Sequence, residues 1–271
     1  TVLMFIVLML LGNDFVDSLC SSFSTISTGG FSPRPDSITS FSEYTQLAVT
    51  VFMFLAGTNI SLLYYLLLCR PRMIWKSEEF RTYMFVILVA SVLLTLMLFG
   101  QGVDVGKSAE YSLFQVVSTI STSGYYISMP QGWMKVIPLF LFMLMFFVAC
   151  SGSTGGGIKM ARIMILLKYV RNQFVIMLHP RAVAPVKIDG KVIKMDYINK
   201  IFAFLFMYFI FMVSGAFVLM CCGFGLADSM AIVSANIANI GPVIDTMGAS
   251  WCYADFPLAA KLTIIVEMLM G

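Results

Sequence analysis

Long apolar runs alternate with short polar connections along this chain, and the runs fall into two length classes. Those long enough to cross a bilayer lie near residues 45–68, 82–99, 134–149 continuing to 178, and 197–222. A spanning helix needs about 20 such residues at a rise of about 1.5 Å each. Shorter apolar runs lie at 2–11 and 256–270 and read as helices cut by the limits of the sequence, so a fragment is expected. The run from Val2 to Leu11 has neither a basic leader nor a small-residue cleavage site, which argues against a signal peptide.

The second class is half as long, and it recurs. Ser22 to Phe31 reads S-F-S-T-I-S-T-G-G-F, Val116 to Tyr125 reads V-V-S-T-I-S-T-S-G-Y, and Ile232 to Pro242 reads I-V-S-A-N-I-A-N-I-G-P. The three align on Gly30, Gly124 and Gly241, and the first two share S-T-I-S-T. Repetition at this spacing means duplicated structural units. Each copy follows an apolar span, starts near an acidic residue (Asp17, Glu110, Asp228) and runs about ten residues to its glycine. Ten helical residues reach only about 15 Å, half the hydrocarbon thickness, so each segment must enter and leave by the same face. Non-helical backbone is tolerated at that depth only where protein buries it or it lines a watery cavity.

The residue types at the three turns suggest what they do. Glycine permits dihedrals that turn successive carbonyls toward one axis, and the half-helix points its negative end at the same place. A ring of such carbonyls replaces the hydration shell of a monovalent cation. The candidate ion-binding residues are therefore Thr28, Gly29 and Gly30; Thr122, Ser123 and Gly124; and Asn239, Ile240 and Gly241. Small residues also let membrane helices approach closely, which accounts for Gly29 and Gly30. It does not account for three half-length stretches in register.

A second feature interrupts the apolar run from Ile137 to Tyr169, whose 33 residues would make a helix of about 50 Å. Cys150-Ser151-Gly152-Ser153-Thr154-Gly155-Gly156-Gly157 sits inside it, and each glycine disfavours helix by about 1 kcal/mol relative to alanine. The helix is expected to break there, below the second turn, in a loop over 150–158. The string lacks the Lys-Ser/Thr ending of a phosphate loop, and no strand precedes it. A flexible kink whose Lys159 snorkels to the interface is one reading. The sharper one is a mobile loop, Ser151 to Gly157 with Lys159, that plugs the path beneath the turns; a charge at membrane depth is a functional candidate by default.

Charge placement orients the spans. Arg70, Arg72, Lys76 and Arg81 share one connection, and Lys159, Arg162, Lys168, Arg171, Arg181, Lys187, Lys191, Lys194 and Lys200 run through another. Together they hold 13 of the 17 Lys and Arg, which places these connections in the cytoplasm. The opposite connections carry Asp14, Asp17, Asp36, Glu43, Asp104, Glu110, Asp228, Asp245 and Asp255, an acidic vestibule that concentrates cations. Composition agrees: 59% of the residues are hydrophobic and 11% charged, with a mean hydropathy of +0.91. A soluble domain carries roughly 25% charged residues. Nothing points to nucleic acid. The cysteines Cys20, Cys69, Cys150, Cys221, Cys222 and Cys252 are irregularly spaced, with His179 the lone histidine, against a disulfide framework or zinc site. A membrane enzyme would need clustered ligands within the spans, and none is visible.

The T-G-G-F, T-S-G-Y and N-I-G-P turns together with C-S-G-S-T-G-G-G-I-K-M-A-R resemble the Trk/Ktr/HKT superfamily of cation transporters. Gly57 to Leu66 (G-T-N-I-S-L-L-Y-Y-L) and His179 to Ile188 (H-P-R-A-V-A-P-V-K-I) resemble its bacterial TrkH branch. The resemblance implies an all-α polytopic membrane protein with four helix–pore-loop–helix repeats around a pseudo-fourfold ion pore. This chain matches the second repeat (1–69), the third (70–178, with the gating loop) and the fourth (179–271, after a cytoplasmic connection over 179–195). The implied function is multi-pass potassium uptake across the bacterial inner membrane, passive or by symport, with no cofactor beyond the transported K⁺. Backbone carbonyls of Thr28, Gly29, Thr122, Ser123, Asn239 and Ile240 would bind the ion, and Ser151 to Gly157 would gate it. Implied partners are membrane lipid, a second copy in a homodimer, and a cytosolic nucleotide-binding subunit of TrkA type. Ser123 and Ile240 stand where the first turn has Gly29, and the first repeat is missing. A sodium-permeable member of the superfamily and a secondary transporter for an organic solute stay open as alternatives.

Overall fold

The computed structural model describes all residues except 35–36, 69–70, 128–135, 180, 182–183, 242–252 and 254–255. Asp36, Cys69, Arg70, Pro180, Pro242, Asp245, Cys252 and Asp255 fall outside the described residues, as do residues 128–135 of the connection after the second turn. The helices are α1 (Val2–Leu10), α2 (Phe15–Ile26), α3 (Glu43–Ala56), α4 (Ile60–Leu67), α5 (Pro71–Lys76), α6 (Glu78–Phe99), α7 (Val105–Ile120), α8 (Val136–Leu144), α9 (Met160–Leu178), α10 (Met195–Cys221), α11 (Leu226–Ile237) and α12 (Leu258–Met270). Two short strands, β1 (Lys187–Ile188) and β2 (Lys191–Val192), pair antiparallel in the connection before α10.

Among the described residues, two helices, α6 and α10, are long and apolar enough to cross a membrane, and only 28% of the apolar window of each is buried within the chain. Phe85, Leu96, Phe206 and Phe217 stand out from them into what must be lipid or further protein. Local chemistry fixes several helix starts. The Ser42, Ser77 and Asp104 side chains accept the N–H groups of Thr45, Phe80 and Gly106 at the first turns of α3, α6 and α7.

One arrangement is built three times. An apolar helix (α1, α6, α10) packs along the helix that follows it (α2, α7, α11), and a further helix (α3, α8, α12) comes after the turn at its end. Successive units then lean on one another: α3 packs on α7, and α8 on α11. The core follows this division. One apolar cluster joins Met4, Val49, Tyr83, Leu94, Phe114 and Leu141, and another joins Tyr208, Leu219, Val233, Ala260 and Ile264.

The structure corrects the spans at four points. The stretch 45–68 is broken after Ala56, and α4 restarts at Ile60. The run 134–149 stops being helical at Leu144, and residues 145–159 are irregular, so the break is wider than 150–158. The short helices have 12, 16 and 12 residues, longer than the ten the repeat suggested. The connection 179–195 carries the hairpin, whose two two-residue strands are the exception to helix among the described elements.

Candidate functional site

The three short helices end in the same way. Ser27, Ser121 and Ala238 close them with helical dihedrals, and the next residues, Thr28, Thr122 and Asn239, turn left-handed at φ 54°, 60° and 55°. The Thr28, Thr122 and Asn239 N–H groups donate to the carbonyls of Thr25, Thr119 and Asn236 at 3.2, 3.2 and 2.9 Å. The Gly29, Ser123 and Ile240 N–H groups reach acceptors one residue further back, Ser24, Ser118 and Ala235, at 2.8, 3.0 and 2.8 Å. This is the Schellman hydrogen-bond pattern, repeated at each turn. The chain turns left-handed again at Gly30, Gly124 and Gly241, at φ 68°, 72° and 92°. Glycine was expected to supply the unusual dihedrals; threonine carries half of them at two turns, and β-branched residues avoid that region.

The turns lock both donors and leave acceptors open. No hydrogen bond from a described residue reaches the carbonyl oxygens of Thr28, Gly29, Thr122, Ser123, Asn239 or Ile240. Thr122 and Ser123 are fully buried. Buried carbonyls in proteins are almost always paired with protein or ordered water, so these six, on buried or half-buried residues, are acceptors left open to a partner.

The first two turns touch. A side chain on Gly30 would overlap the Ser123 carbonyl oxygen. Tyr125, nearly fully buried, stands behind them, its hydroxyl 3.4 Å from both Thr25 Oγ1 and the Phe31 carbonyl. Tyr253 has a similar place at the third turn, donating to the Gly241 carbonyl at 2.6 Å and lying 3.2 Å from Asn236 Nδ2. The motifs contain Tyr125 but gave its hydroxyl no role, and Tyr253 lies beyond the repeat, where no periodicity marks it.

The glycine-rich loop is seated against these turns. Val148 and Lys159 form a parallel bridge, and the Met160 N–H donates to the Ala149 carbonyl at 3.1 Å, so the loop leaves and returns at one place. The Ala149 N–H donates to the Ile120 carbonyl at the end of α7. At the tip, the Gly156 N–H lies 3.3 Å from Thr122 Oγ1. A Cβ on Gly155 would meet Thr122 Oγ1 at 2.5 Å, and one on Gly156 would meet Asn239 Cβ at 2.7 Å. Gly157, left-handed at φ 67°, passes beside Ala238. Glycine is required here because the loop lies against the second and third turns at backbone contact distance.

On its other side the loop closes the gap between α3 and α4. The Cys150 N–H donates to the Gly57 carbonyl at 2.9 Å and the Ile60 N–H to the Gly152 carbonyl at 3.2 Å. Lys159, half-buried, turns back: its Nζ donates to the Gly155 carbonyl and lies 3.4 Å from Ser153 Oγ. The predicted site residues are thus one assembly, with Ser151 to Gly157 beneath the Thr122 and Asn239 turns and the Thr28 turn beside Ser123. Of the acidic residues near the helix starts, Asp17 pairs with Arg34 at 2.6 Å, tying the segment after the first turn to the start of α2.

The sequence profile of the TrkH family, described as cation transport protein, matches residues 7–105 and 101–271. The chain belongs to that family. TrkH-family relatives include the Trk system potassium uptake protein TrkH of Halomonas elongata, 31% identical over 96% of this chain and 54% of its own length. That of Vibrio parahaemolyticus is 30% identical over 94% of this chain and 53% of its own length. The crystal structure of the potassium transporter TrkH from Vibrio parahaemolyticus matches with a TM-score of 0.93 at 28% identity, covering 100% of this chain and 58% of that one. The chain spans about half the length of the curated relatives it matches. This agrees with the membrane-transporter fold expected from the repeats.

Proposed function

We propose that this chain supplies three quadrants of a potassium pore in a bacterial inner-membrane uptake system. One observation carries the reading: the carbonyl oxygens of six buried or half-buried residues at three equivalent turns have no hydrogen-bond partner among the described residues. Such oxygens are costly to bury unless a cation or water takes them up. Thr28, Gly29, Thr122, Ser123, Asn239 and Ile240 are the ion ligands of this proposal, with Gly30, Gly124 and Gly241 giving each turn its second reversal. The names and functions of the TrkH relatives support potassium as the ion.

The loop Ser151 to Gly157 acts as the gate in this reading, because it closes on the Thr122 and Asn239 turns and its glycines make the contact. Residues 1–69, 70–178 and 179–271 are the second, third and fourth repeats, and the missing quadrant comes from the part of the relatives' length this chain does not cover. A homodimer, surrounding lipid and a cytosolic nucleotide-binding subunit complete the assembly proposed; the Trk-system names of the relatives support the last.

The test is growth of an uptake-deficient bacterium at low potassium, carrying the full-length gene with its cytosolic subunit. Rescue that is lost with Gly124→Val, with the variant still in the membrane, is the expected result. Normal growth of that variant would overturn the filter assignment. Rescue of sodium but not potassium uptake would select the sodium-permeable alternative.

A further inference from the structure

Glu79 belongs to none of the motifs above. It sits in the first turn of α6, where an acidic residue is usually explained by the helix dipole alone. Its carboxylate does something else: Oε1 accepts the backbone N–H of Ser151, the first residue of the glycine-rich loop, 72 positions away. The neighbouring residue is held from the opposite side. The Glu78 N–H donates to Asp189 Oδ1 at 2.8 Å, and the Glu78 carboxylate forms an ion pair with Lys168 of α9. Lys168 Nζ also donates to the Lys187 carbonyl at 2.8 Å. Asp189 and Gly190, left-handed at φ 47° and 78°, are the two-residue turn between β1 and β2.

Two consecutive residues at one helix start thus join the β1–β2 hairpin to the glycine-rich loop. The loop's other outside contacts are uncharged: Gly57 and Ile60 backbone, the Asn59 side chain beside Gly152, and the Ala56 carbonyl 3.4 Å from Thr154 Oγ1. Among the described residues, Lys159 holds the Gly155 carbonyl from the loop's own far end, and Glu79 is the charged side chain from another element that holds the loop's backbone.

We propose that Glu79 is a positioning residue, a latch that keeps the Ser151–Gly157 loop in its seat, and that the β1–β2 hairpin sets the latch through Asp189 and Glu78. Movement of the hairpin displaces the start of α6 and withdraws the acceptor from Ser151, so an event at the exposed Asp189 turn reaches the pore without a contact there. The chain of contacts is continuous, as a coupling path requires, and its test is energetic coupling between the two ends. The inference rests on the loop being the gate.

The experiment is potassium flux in proteoliposomes holding the full-length transporter, with and without its cytosolic subunit. Glu79→Ala is expected to raise flux without the subunit by about tenfold, the effect of losing one charge-assisted hydrogen bond. Glu79→Gln, whose side-chain carbonyl can accept the same N–H, is expected to stay within about threefold of the wild type. Asp189→Gly, which removes the acceptor yet suits the left-handed turn, is expected to raise flux in the same direction. The double variant should then rise no further than Glu79→Ala alone. Potassium over sodium preference should not move in any of them. Subunit-free flux of Glu79→Ala equal to wild type, or additive effects of the two single variants, would overturn the latch. If wild-type flux ignores Gly124→Val, the pore reading itself has failed, and the outcome is distinct because the latch variants leave Gly124 untouched.

Discussion

Thr28 and Thr122 hold dihedrals that β-branched side chains avoid, while Asn239, at the matching position, is a residue that tolerates them. Such a left-handed residue costs on the order of 1–2 kcal/mol. Replacing Thr28 by Asn should therefore stabilise the full-length protein by roughly 1 kcal/mol, read as a higher thermal midpoint in detergent. The companion glycine behaves oppositely: Gly30→Ala adds a methyl against the Ser123 carbonyl in a left-handed position and should cost stability and potassium selectivity together. Removing the Tyr253 hydroxyl with Tyr253→Phe deletes its bond to the Gly241 carbonyl and should cost about 1 kcal/mol, measured in the same melt. The glycines were legible as turn formers, since few other residues occur at such bends. The strained threonines were not, because a threonine reads alike in a helix and at its end until the hydrogen bonds beyond it are known.

At the scale of elements, the glycine-rich loop and the turns above it are complementary surfaces. Gly156→Ala places a methyl 2.7 Å from Asn239 Cβ, closer than real contacts allow, so the loop must back away from the third turn. Raised potassium flux without the cytosolic subunit is the expected reading, and unchanged flux would show that the loop does not close the path. The break was legible because Gly155 to Gly157 have no helical propensity. Its width was not: Met145 to Ala149 are apolar and would suit a helix, and they leave it because Ala149 and Cys150 donate to the Ile120 and Gly57 carbonyls instead. The interruption between α3 and α4 was hidden for the same reason, since the Ile60 N–H finds its partner in Gly152, far along the chain. The hairpin had a local signal, Asp189-Gly190 between two short β-compatible pairs, but only its docking on Glu78 gives it significance.

The whole molecule is three like units leaning on one another, and it spans about half the length of its curated relatives. Under the pore proposal, proteoliposomes holding residues 1–271 alone should carry no selective potassium flux, whereas the full-length protein should. Selective flux from the segment alone would mean that three quadrants suffice. That the units repeat was readable from T-G-G, T-S-G and N-I-G; how they meet was not, because the contacts of α3 with α7 and α8 with α11 depend on surfaces far apart in sequence.

The Schellman bonds at the three turns have a consequence for biosynthesis. Each bond closes within six residues of its own helix, so nothing later in the chain is needed to form it. A turn can take shape while the next unit is still being translated, and its open carbonyl oxygens arrive already oriented. What is left for late assembly is the lateral docking of finished units, the stage at which a mismatched unit would be exposed to quality control.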